Sequence, residues 1–112
     1  MKRFAKGGAI GLLAALAAVP AWAEMPNYDV EAHCKKLASI GGSSQSLLNA
    51  CLHSEQDAYD GLKPKWDGLP EAMRLHCDHL AGLGGGSYSL LQACVASEQD
   101  ASRNNEQFKF KR

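Results

Sequence analysis

Two glutamates raise the first chemical question. Glu55 and Glu98 each stand four residues after a cysteine, Cys51 and Cys94, on a stripe that is otherwise apolar. A carboxylate buried on such a stripe is costly unless something pairs with it. Counting back along a helical hairpin from the cysteines puts Glu55 level with the start of the preceding helix, near Val30. Free N–H groups and the positive end of the dipole would hold an anion there. Set in a polar pocket, the same side chains would instead be an acid or a ligand, so both glutamates stay candidates for binding.

Four histidines, His33, His53, His76 and His79, are the weak candidates for a metal. His76 and His79 fall on neighbouring rows of a helix, and His33 approaches His53 across a hairpin. Zinc needs three or four convergent ligands, and neither His53 nor His79 has a counterpart elsewhere in the chain. No metal site is therefore assigned, and no cofactor is expected. The sequence holds no Gly-x-Ser-x-Gly, phosphate-cradling loop with its lysine, His-Glu-x-x-His or Cys-x-x-Cys, so no catalytic set accompanies the glutamates and the chain is read as a non-enzyme.

These residues belong to a duplicated unit. Residues 33–58 align without a gap on residues 76–101 at a period of 43, with 17 of 26 positions identical. A repeat of that length marks stacked supersecondary units that bury their apolar faces against one another. Val30, Cys34, Leu37 and Ala38, and again Met73, Cys77, Leu80 and Ala81, keep the period of an amphipathic helix. Gly41-Gly42 and Gly84-Gly85-Gly86 end these helices, and Ser44 and Ser87 are placed to cap the next. That next helix runs from about residue 45 to 62 in the first unit and from about 88 to 103 in the second. The breaker-rich stretch 61–70 joins the units. The expected fold is all-α: two tandem disulfide-stapled helical hairpins, residues 24–60 and 71–103, packed as a small four-helix array.

Cys34 lies seven residues before Gly41, and Cys51 seven after Ser44, so the two sit at one height in an antiparallel hairpin. Cys77 and Cys94 repeat the spacing. Pairing within each unit is favoured over the crossed Cys34 with Cys77 and Cys51 with Cys94, and each bridge would contribute about 3 kcal/mol. A parallel stack of the units would bring both glycine turns to one end, with Ser44, Ser87 and Tyr88 available for binding. Trp66 and Tyr59 are expected to fill the joint between units.

Lys2, Arg3 and Lys6 precede an uncharged run from Gly7 to Val19, followed by Ala21-Trp22-Ala23. That order matches a secretory signal peptide over residues 1–23, cleaved after Ala23, and the run is too short to span a bilayer. The remainder carries nine Lys and Arg against twelve Asp and Glu, a net charge of −3. Nucleic acid is excluded as a partner on that balance, and no transmembrane segment is expected in the mature chain. The location is periplasmic or secreted, where cysteines pair. Residues 104–112 read as a basic, aromatic tail, either disordered or touching an anionic membrane surface.

The pattern Cys77, Gly84 to Ser87, Leu90-Leu91, Cys94 and Glu98 resembles small exported proteobacterial proteins built from one or two such hairpins. The likeness covers nearly the whole mature chain and implies no particular activity. A looser likeness is to the LprI type of periplasmic lysozyme inhibitor, with helices, paired cysteines and a glutamate shortly after a cysteine. The Gly-Gly-Ser turn and wider cysteine spacing depart from that type. The expected function is an exported interaction module that binds a protein or envelope component, its oligomeric state left open. The alternatives are a small-ligand or metal-binding periplasmic protein and a lysozyme-inhibitor-like protein.

Overall fold

The computed structural model describes residues 23–112, so the signal-peptide reading lies, up to residue 22, outside the described residues. Helix α1 spans Val30–Ala38 and starts where the Asp29 carboxylate accepts from the Ala32 amide at 3.0 Å. Helix α2 spans Gln45–Leu62, with Ser44 accepting from Leu47 N at 3.1 Å. A 3-10 stretch, Lys63–Gly68, leads to α3, Glu71–Ala81, which follows Pro70. A short turn at Leu83–Gly85 then leads to α4, Tyr88–Gln107, capped by Ser87. The fold is all-helical.

The disulfides join Cys34 to Cys51 and Cys77 to Cys94, each with Cα atoms 5.5 Å apart. Each staples one hairpin, the pairing that the duplicated spacing favours. The stripe buried beside the bridges is narrower than periodicity suggests: Cys34, Ala38, Cys77 and Ala81 are buried, whereas Leu37 and Leu80 remain 45% and 44% exposed. A two-helix hairpin covers only the row nearest its partner, and these leucines sit one row further round.

The units stack with a stagger rather than end to end. Tyr59 packs edge-on against Tyr88 with ring centres 4.9 Å apart, and a Cβ on Gly61 would lie 3.0 Å from the Gln92 amide nitrogen. The second half of α2 therefore runs alongside the first half of α4, in the same direction. Ala58, Leu62, Trp66, Leu91 and Val95 fill this seam, with Leu62 and Leu91 fully buried. Burying each of those two leucines contributes about 1.5–3 kcal/mol. Trp66 is buried at the joint and Tyr59 half-buried.

The stagger corrects the expected parallel stack. The second glycine turn lies against Glu55 and Tyr59, eleven or more residues along α2 from Ser44, about 16 Å at the helical rise. The two turns do not share an end, because the apolar residues available for docking α4 lie in the second half of α2. The last helix also runs further than residue 103, through Asn104 and Asn105 to Gln107. Asparagine costs a helix only a few tenths of a kcal/mol, and the Phe108 amide still reaches Asn104 O at 3.0 Å. The extended tail thus begins at Phe108.

Candidate functional site

Glu55 is 3% exposed and holds the two units together. Its Oε1 accepts from Tyr88 N at 2.6 Å, and its Oε2 from Ser87 Oγ at 2.8 Å and Ser89 N at 3.4 Å. The expectation of an anion at a helix start is met at a different helix. The partner is α4 of the second unit, not α1 near Val30, since the stagger sets Ser87 to Ser89 against Glu55. Burial pushes the carboxyl pKa up, but bonds from Ser87, Ser89 and the Tyr88 amide outweigh it, and the net direction is down.

Ser87 consequently has two tasks: it caps α4 by accepting from Leu90 N at 3.2 Å and donates its hydroxyl to Glu55. Ser44, its counterpart, caps α2 alone. Glu98 differs as sharply from Glu55. Its side chain is 44% exposed, and the His76 ring lies beside it, Nε2 to Oε2 3.9 Å.

Tyr88 is the second anchor. Its hydroxyl accepts from Tyr28 N at 3.0 Å and donates to Pro26 O at 2.7 Å, while the Tyr28 ring stacks on it, tilted, at 4.7 Å. The segment 24–28 is thus strapped across the joint, and Trp66 Nε1 donates to Glu24 O at 3.0 Å. Tyr28 Oη donates to Asp78 at 2.7 Å; burial, and then this carboxylate, raise its pKa. Gly86, at φ +103, lies under the Tyr28 ring, where a Cβ would overlap the ring atoms. The first unit has Ser43 at the matching place, with no ring above it to exclude a side chain.

Strap and helices enclose an open groove of about 580 Å³, walled by Met25, Tyr28, Leu52, Tyr59 and Tyr88, with Glu31 and Gln56 also lining it and Glu55 at its base. Among the described residues, its only charged lining residues are the two glutamates. The Lys63 ammonium, 5.7 Å from the centre of the Tyr59 ring, lines the neighbouring depression instead. Such a volume, with an apolar wall and a few polar groups, is typical of ligand sites. The matching place in the second unit is a groove of about 560 Å³ beside Met73, Glu98, Ala101, Ser102 and Asn105. There Ser102 and Asn105 stand where the first unit has Tyr59 and Leu62. A polar outer face is what closes a stack of repeats.

Of the residues singled out from sequence, Glu55, Ser87 and Tyr88 meet in one place, while Ser44 and Glu98 do not join them. His53, His76 and His79 are exposed and His33 half-buried, and among the described residues no three His, Cys, Asp or Glu side chains converge as metal ligands. Periodicity could not reveal Tyr28, which precedes α1, or Tyr59 as a groove wall. The mismatch of Gly86 with Ser43 was the available signal. No protein-family model, curated protein or solved structure matches the chain, so the groove's chemistry is the basis for a functional reading.

Proposed function

We propose that the mature chain is an exported, non-enzymatic interaction module that binds a protein or envelope component through the groove between Tyr28, Tyr59 and Tyr88. The single observation behind this reading is that the joint leaves the half-buried Tyr28 and Tyr59, beside the buried Tyr88, around an open, acid-lined space. Tyrosines offer large contact area at low entropic cost and are enriched at interfaces. Two disulfides suit an oxidising compartment, and no helix among the described residues is long and apolar enough to cross a membrane. Neither Glu55 oxygen is left without a donor, which favours a structural over a catalytic role for it.

Immobilised protein exposed to solubilised envelope is expected to retain a component that the Gln56→Arg variant, with a long cationic side chain in the groove, does not. Equal retention by both would contradict the reading.

A further inference from the structure

The tail offers a chemistry that matches the groove. Phe108 and Phe110 are 69% and 72% exposed, and with Lys109, Lys111 and Arg112 they form an extended segment carrying three positive charges. Residues 24–107 carry six Lys and Arg against twelve Asp and Glu, a net charge of −6. In an extended strand alternate side chains share a face, so both phenylalanines point one way and both lysines the other. The groove has tyrosine and methionine walls to receive aromatic rings, and a rim carboxylate, Glu31, with no lysine or arginine lining it among the described residues.

Reach decides whose tail it is. Tyr88, at the groove, is the first residue of α4, and the tail leaves from the far end of that helix after Gln107. Twenty helical residues span about 30 Å. The five residues from Phe108 to Arg112 extend at most about 18 Å. A chain cannot place its own tail in its own groove.

We infer that the groove binds the Phe108–Arg112 segment of a second copy of this chain, an assignment that rests on the groove being the binding site. Phe108 and Phe110 lie among Tyr28, Tyr59 and Tyr88; Arg112, on the same face and 5.2 Å from the centre of the Phe110 ring, meets Glu31, and the lysines point outward. The contact is head-to-tail, so each copy has one groove and one tail to offer, and association continues into open chains or closes into a ring.

The test uses the full mature chain and a synthetic peptide of residues 107–112. In sedimentation velocity the wild type is expected to gain weight-average mass between about 10 µM and about 1 mM, the range of a weak contact, and a Phe108→Ser/Phe110→Ser variant to stay monomeric. The peptide is expected to bind that variant saturably, more weakly at high salt. Adding Tyr59→Ala should weaken it at least about tenfold. Should Tyr59→Ala disturb the fold, the exposed Glu31→Lys serves instead: it should lower peptide affinity severalfold, and a peptide with Arg112 changed to glutamate should recover it. A wild type monomeric throughout with no peptide binding overturns the inference. So does association that survives loss of both phenylalanines. Tail-dependent binding to vesicles containing phosphatidylglycerol, unchanged by Glu31→Lys and without self-association, would make the tail a membrane element and overturn it too. In each failure a groove that still takes an envelope component leaves the proposed function standing.

Discussion

The Glu55 carboxylate accepts from the Tyr88 amide at 2.6 Å, across the boundary between two copies of one repeated unit. One side chain thereby satisfies the start of α4, fixes the stagger of the hairpins and sets Tyr88 into the wall of the groove. The repeat supplies a second glutamate, Glu98, with no such partner, and the difference between the two can be measured.

Glu55→Gln is expected to lower unfolding free energy by about 1–3 kcal/mol, the cost of leaving buried donors poorly matched. Glu98→Gln should change it by less than about 0.5 kcal/mol, as for most exposed positions. Urea denaturation of both variants checks the contrast, and equal effects would show that the joint is not held by Glu55.

Acid should act through the same carboxylate. The folded-state pKa of Glu55 lies below its ordinary value, so between the two values the unfolded chain binds more protons. The contribution is fully present above about pH 4.5, where the free carboxyl is ionised, and is lost as pH falls through the depressed folded value. Stability profiles between pH 2 and 6 should be steeper for wild type than for Glu55→Gln, and parallel profiles would contradict this.

Much of the architecture is legible in the residues. Cysteine spacing, glycine turns and serine caps lead to two hairpins with bridges inside each, because those features act within some twenty residues of chain. The stagger is not legible. It depends on which half of α2 offers Ala58, Tyr59 and Leu62 to α4, a choice made between distant segments. For the same reason Glu55 is readable as an anion beside a helix start, but not which helix.

The Tyr28 strap is testable at one glycine. Gly86→Ala adds a methyl group under the ring at a backbone angle that side chains rarely adopt, and should cost more than about 1 kcal/mol. Near-ultraviolet circular dichroism should show loss of the Tyr28–Tyr88 contact. At Gly42, where a Cβ meets nothing within 4 Å, the same change should leave the tyrosine signal intact.

Each disulfide closes a separation of 17 residues, so replacing either pair by alanine should cost about 3 kcal/mol. Loss of Cys77–Cys94 should also weaken ligand capture in the folded variant, since it steadies the hairpin that presents Ser87 and Tyr88 to Glu55. Chemical denaturation and binding assays on the two double variants separate these effects.

The most direct measurement places a photoreactive benzoylphenylalanine at Gln56, in the groove, and in a second protein at Gln99, its counterpart in the other unit. Irradiation in living cells is expected to give a discrete adduct, to an envelope component or to a second copy, from position 56 and none from position 99. Adducts from position 99 alone, or identical products from both, would contradict the assignment of the tyrosine groove as the binding site.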